Sequence, residues 1–205
     1  MYPDQNQYSI DYLNQIAPVQ KKPGLANKFT LIIIIAAVLI VATIGLIALA
    51  SSSAGPTNDM QTLAARLQNL QTVADGAQKN LKSSALRSTN SNLSLFLTNT
   101  NRDIVTPLGN NHVNVTKLDA SVVKAEKNDT LASTLEDARL NAVFDDTYAR
   151  EMTYQLATIS ALMTKIYTST KSNSLKTFLV NTDKNLQPIK KQFTAFTTPT
   201  DALAG

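Results

Sequence analysis

The sequence predicts an all-α protein, with one N-terminal transmembrane helix followed by an antiparallel bundle of four to five helices built from a duplicated helical hairpin. Three observations predict this class: an uncharged apolar run, heptad-like apolar spacing after it, and a later segment that repeats the earlier one. Strand patterns are nearly absent, because no stretch alternates apolar and polar residues and the chain has only six glycines.

The predicted transmembrane anchor is residues 29–50, which contain no charged residue. As a helix this run is roughly 33 Å long, enough to cross a hydrocarbon core of about 30 Å. Lys21, Lys22 and Lys28 precede it, and the Ser/Gly/Pro-rich linker after it carries no charge. The positive-inside rule therefore predicts a single-pass protein of the cell membrane, with a cytoplasmic N-terminus and an extracytoplasmic C-terminal domain.

The anchor divides the chain into predicted segments. Residues 1–28 form the cytoplasmic tail, 51–57 the linker, 58–198 the exported helical bundle and 199–205 a disordered C-terminus. Residues 48–50 (Ala-Leu-Ala) also fit a small-x-small site for signal peptidase, which leaves open whether the anchor is cut after Ala50.

A resemblance supports this organisation. The strings DYLNQIAP (residues 11–18) and KKPG (residues 21–24), followed by the anchor, resemble the leaders of small single-pass membrane proteins of reduced-genome bacteria. The resemblance covers about a quarter of the chain. It implies a membrane anchor and a helical exported domain, and it implies no activity, because most of those families lack assigned functions.

Apolar residues in the exported domain recur at alternating spacings of three and four, which is typical of a helix that packs along a narrow seam. Thr57 or Asn58 is the predicted N-cap of the first such helix. The sequence leaves open whether the seam packs within the bundle or against a second copy of the chain. The two seams are Met60, Leu63, Leu67, Leu70, Ala74, Ala77 and Leu81, and Ala149, Met152, Leu156, Ile159, Met163 and Ile166.

The segments that follow the two seams also match, at an offset of 81 or 82 residues. A polar turn is followed each time by the pattern Phe-Leu-x-Asn-Thr, at Phe96–Thr100 and Phe178–Thr182. We interpret this as a duplication with repeats near 58–108 and 145–190. Phe96 and Phe178 then occupy equivalent positions, either as mutual core residues or as the lining of a ligand cavity.

Between the repeats, the sequence predicts a polar loop at residues 109–112 and helices near 116–126 and 130–143. The second of these either ends or continues into the helix of the second repeat.

Charge is divided between two segments. Residues 126–151 hold seven acidic and three basic residues, whereas 165–191 hold six lysines and one aspartate. Either these faces are neighbours in the bundle and attract weakly, or the lysines form a face for an anionic lipid or envelope polymer. Nucleic acid is disfavoured, because aromatic residues do not alternate with the basic ones. The candidate contact residues are Lys176, Lys184, Lys190 and Lys191.

Few residues are suited to catalysis or metal binding. The chain has no cysteine and one histidine, His112, in the polar loop. Asp145 and Asp146 suit a helix start, and no glycine-bearing calcium loop surrounds them. The sequence therefore predicts no enzyme, no cofactor and no metal. It favours a membrane-anchored extracytoplasmic helical binding or spacer protein of the cell envelope, with an unknown envelope protein or polymer as partner. The alternative is a ligand-sensing ectodomain, or a subunit of a membrane complex, that signals through its anchor helix.

Overall fold

The computed structural model describes residues 55–197 of the chain. Seven helices and no strand occur in this range, and five of the helices have 12 or more residues. The prediction of an all-helical domain is confirmed here. The helices are α1 Pro56–Ala77, α2 Ser84–Asp103, α3 Val105–Gly109, α4 Ala120–Glu126, α5 Asp129–Leu140, α6 Phe144–Ser169 and α7 Asn173–Thr197.

The predicted tail, anchor and C-terminal segment, at residues 1–28, 29–50 and 199–205, lie outside the described residues. Within residues 55–197, no helix combines the length and the apolarity needed to cross a bilayer.

α1 begins at Pro56, inside the linker predicted over residues 51–57. Its N-cap is Gly55 in an extended conformation, not Thr57 or Asn58. Proline suits the first helical position, because its missing N–H would have no partner there and its φ is already helical. This start has no side-chain cap, which is the signal that pointed to Thr57 or Asn58.

The apolar seam of α1 packs inside the bundle. Its six helical members are all at most 4% exposed, and Leu81, also buried, lies in the turn after the helix. The seam of α6 is buried in the same core cluster. The seams therefore meet neighbouring helices of the same chain. The helical members of the α1 seam are Met60, Leu63, Leu67, Leu70, Ala74 and Ala77.

Four long helices form a ring in the order α1, α2, α7, α6. α1 is antiparallel to α6, because Asp59 near its start binds Lys165 near the end of α6 at 2.9 Å. At the other end, the backbone N–H of Ser83 donates to Asp145 at the start of α6 (2.7 Å). Short connections join α1 to α2 and α6 to α7, so both are antiparallel hairpins. α2 and α6 run in the same direction, so the segment between them is a crossover along the bundle.

The crossover contains α3, α4 and α5. α4 packs on α1, and α5 packs on α6. α5 ends at Leu140 and does not continue into α6, because Ala142 adopts a left-handed conformation with φ 59°. The N–H of Val143 then bonds to the carbonyl of Ala138 at 3.0 Å, the 6→1 closure that ends many helices.

A buried hydrogen-bond network joins α1, α2 and α6 at the end of the bundle where α6 begins. The amide of Asn90 on α2 donates to the carbonyl of Ala74 (2.9 Å) and to the side chain of Gln78 (2.6 Å). The hydroxyl of Tyr148 on α6 donates to the amide oxygen of Asn90. The ring of Phe193 on α7 packs edge-on against Tyr148 at a centroid distance of 6.0 Å. Asn90, Tyr148 and Phe193 are all 0% exposed.

The two sequence repeats correspond to the two hairpins, α1–α2 and α6–α7. They differ near their prolines. The first repeat turns at Ile104 and continues as the short helix α3 around Pro107, whereas α7 runs through Pro188 to Thr197. The second hairpin is therefore longer than the sequence pattern indicated.

Candidate functional site

The four candidate lysines lie on α7, outside the buried stripe of this helix. At 100° per residue, their mean direction is roughly 120° from the buried stripe of this helix. Lys184 and Lys191 are exposed, and Lys176 and Lys190 are partly exposed. The residues named from sequence therefore share one side of a helix, which we call the lysine face.

The lysine face is a stripe of separate charges. Lys176 and Lys191 are 15 residues apart in sequence, so the stripe is about 22 Å long. Asp183 lies within it and accepts hydrogen bonds from Gln187 at 3.0 and 3.1 Å. A stripe of this kind matches an extended polyanion better than a single compact anion.

No carboxylate in residues 55–197 forms an ion pair with any lysine of this face. The acidic segment makes its pairs elsewhere: Glu126 binds Arg66 on α1 at 2.7 Å, and Glu136 binds Arg139 within α5. No ion pair in the described range joins residues 126–151 to residues 165–191. The alternative in which the two segments attract each other therefore has no direct contact to support it.

An apolar groove lies beside the lysine face, between α6 and α7. Its volume is about 330 Å³. Tyr167 and Val180 in this groove are 41% and 52% exposed. The ammonium group of Lys176 lies 5.3 Å from the ring centroid of Tyr167, a cation–π contact. Tyr167 is therefore an exposed part of this surface. The groove is lined by Met163, Thr164, Tyr167, Leu179, Val180, Asp183 and Lys184.

A second cavity lies between α2 and α7 and is formed by the repeated pattern itself. Its volume is about 270 Å³. Each helix contributes four residues at spacings of three, four and seven from its phenylalanine, which places them on one side of that helix. Phe96 and Phe178 both pack against the core and line this cavity. The lining is Phe96, Asn99, Thr100 and Asp103 from α2, with Phe178, Asn181, Thr182 and Asn185 from α7.

His112 lies in the turn that ends α3. It is exposed, its φ is 62°, and the next N–H, that of Val113, bonds back to the carbonyl of Leu108 at 3.0 Å. This is the same helix-ending closure as at Ala142. Among the described residues, no group of three His, Cys, Asp or Glu side chains is placed to hold a metal ion.

Asp145 favours the first turn of α6 and also makes a long-range contact to the segment before α2. Its carboxylate accepts the backbone N–H groups of Lys82 (3.0 Å) and Ser83 (2.7 Å), just before α2. It therefore joins the second hairpin to the first. Asp146 is exposed beside it. The acidic start of α6 was identified from sequence, but this long-range contact was not, since no local pattern encodes it.

No family model matches the chain. No curated protein and no solved structure matches it either.

Proposed function

We propose that this chain is a non-enzymatic, membrane-anchored helical binding protein of the cell envelope. Its lysine face would bind a phosphate-bearing surface, either an envelope polymer or anionic lipid headgroups. Residues 29–50 anchor it in the cell membrane, the N-terminus is cytoplasmic, and the bundle, formed by duplication of a hairpin, is extracytoplasmic. The sequence of the anchor and its flanking lysines supports this orientation.

One observation carries the binding proposal. Four lysines lie outside the buried stripe of α7 and have no carboxylate partner in residues 55–197, whereas Arg66, Arg139 and Lys165 are paired. Several lysines on one helix without a carboxylate partner in this range can together attract an extended anion. The exposed Tyr167 and Val180 add apolar contact area beside those charges.

Reversing three charges of the lysine face should abolish binding to polyanions. We expect the full chain carrying Lys184→Glu, Lys190→Glu and Lys191→Glu to bind at least about 100-fold more weakly, because each lysine near an anionic surface contributes about 1 kcal/mol. Binding of the nanodisc-embedded chain would be measured against polyglycerol phosphate, and separately against phosphatidylglycerol vesicles and phosphatidylcholine vesicles.

The matched control is Lys79→Glu with Lys117→Glu and Lys124→Glu. It changes the net charge equally at exposed lysines outside α7. Binding that weakens only in the α7 variant and falls with salt supports the proposal. An equal loss in both variants, or none in either, contradicts it. Preference for the polymer or for the vesicles identifies which anion is bound.

A second candidate function is a ligand-sensing ectodomain that signals through the anchor helix. The cavity between α2 and α7 favours it, since polar side chains from two helices converge there. A ligand held between the hairpins would favour one packing of the two hairpins over another. Sensing requires such a difference in ligand affinity between two conformations.

A further inference from the structure

The cavity between α2 and α7 lies where the two repeats meet. The lining residues of α2 are the repeat equivalents of those of α7, at a constant offset of 82 residues: Phe96 and Phe178, Asn99 and Asn181, Thr100 and Thr182, and Asp103 and Asn185. Because α2 and α7 are antiparallel, the same positions of both repeats can line one cavity only near an approximate two-fold axis that relates the hairpins. The cavity therefore has two nearly identical walls.

Polar groups in these walls have no partner in the described part of the protein. The exposed side chains of Asn181 and Asn185 and the partly exposed side chain of Asn99 form no hydrogen bond there, and neither do the hydroxyls of Thr100 and Thr182. Both threonines are only 6% exposed. Buried polar groups are normally paired, and a helical threonine usually bonds to the carbonyl four residues earlier.

Two threonines of α2 outside the cavity do form this bond. Thr98 bonds to the carbonyl of Ser94 at 2.9 Å, and Thr89 to that of Ala85 at 3.1 Å. Elsewhere in residues 55–197, Asn101 Oδ1 and Ser160 Oγ are buried without a partner. The cavity walls hold five polar side chains without a partner in this range, and an external molecule can reach them.

The lining chemistry restricts the ligand class. No lysine or arginine of residues 55–197 lines the cavity, which disfavours an anion. The carboxylate that this range contributes to the lining, on Asp103, is paired with Arg102 at 2.9 Å, which disfavours a cation. Amides and hydroxyls both donate and accept hydrogen bonds, as sugar hydroxyls do. Two phenylalanine side chains offer apolar surface for the C–H groups of a sugar ring.

We propose that this cavity binds a neutral, hydroxyl-rich ligand, with one or two sugar rings held between the asparagine and threonine side chains of the two repeats. Its volume of about 270 Å³ is just below the range of about 300–1,000 Å³ for pockets of drug-sized molecules, which restricts the ligand to a small one. This site is separate from the lysine face and does not depend on the function proposed for it.

The test is ligand-observed saturation-transfer NMR with the full chain in nanodiscs. The probes are methyl glucoside, N-acetylglucosamine and ribose, with glutamate and choline as charged comparisons. We expect at least one saccharide to bind and neither charged probe to do so. Asn99→Ala and Asn181→Ala should each weaken that binding about fivefold, the usual effect of one hydrogen bond.

Asn173→Ala is the matched control, because Asn173 is exposed on α7 and outside the cavity. It should leave saccharide binding unchanged, and all three variants should retain polyanion binding by the lysine face. Binding of none of the saccharides, preferential binding of a charged probe, or saccharide binding that survives both asparagine changes would overturn the proposal.

Discussion

Phe193→Ala is expected to lower the free energy of unfolding by about 3–5 kcal/mol, the range for deleting a fully buried phenylalanine. The side chain is 0% exposed and packs edge-on against Tyr148. Its loss leaves a cavity where α7 meets α6, only one turn before the end of the described helix. Denaturant unfolding of the full chain in nanodiscs, followed by helical circular dichroism, measures the effect.

Phe196 on the same helix is the matched control. It is 36% exposed and is not part of the core cluster. Phe196→Ala should change stability by no more than about 0.5 kcal/mol. Similar losses for the two changes would contradict the burial described for the end of α7.

Asn90→Ala is expected to destabilise the bundle by about 2–4 kcal/mol, since it deletes the acceptor of the Tyr148 hydroxyl and leaves a small cavity. Tyr148→Phe removes only the hydroxyl and should cost about 1–3 kcal/mol, because the Asn90 oxygen then loses its buried donor. The exposed Asn92 on the same helix is the control, and Asn92→Ala should stay within about 0.5 kcal/mol of the parent. Equal effects at Asn90 and Asn92 would exclude the buried network.

The same tyrosine gives the bundle a pH dependence. Burial, and secondarily the negative charge of Asp75, raise the pKa of Tyr148 above its ordinary value of 10.0. Above about pH 10 the unfolded chain has released this proton while the folded chain still holds it, so stability falls as the pH rises. The slope attributable to Tyr148 is at most about 1.4 kcal/mol per pH unit. Tyr148→Phe should remove this part of the alkaline destabilisation; an unchanged alkaline slope would contradict the buried phenol.

The long helices were predictable because the apolar spacing that indicates them lies within each helix's own sequence. The α1 and α6 seams have a clear period, and each predicted seam residue within these helices is buried. The helix ends were harder to predict. Gly55 with Pro56 starts α1 without a side-chain cap, and Ala142 ends the α5 turn in a conformation usually given to glycine.

The candidate sites were predictable in part. The sequence places all four lysines in the C-terminal helical segment, and the buried stripe of α7 shows on which side of the helix they lie. The repeat indicates which residues can line the cavity between α2 and α7. The lining residues lie three, four and seven positions after Phe96 or Phe178, so they share one side of their helix. Sequence could not show that these two sides face each other. That depends on the crossover, which makes α2 and α7 antiparallel neighbours.

The most direct test of the central claim is photo-crosslinking in living cells from position 180, in the groove beside the lysine face. Leu140 on α5, which is 66% exposed, is the comparison position. We expect phosphate-bearing envelope material to be captured at position 180, little at position 140, and much less at 180 when Lys184, Lys190 and Lys191 are changed to glutamate. Equal capture at both positions, or capture of cytoplasmic proteins at position 180, would contradict an envelope-binding role for this face.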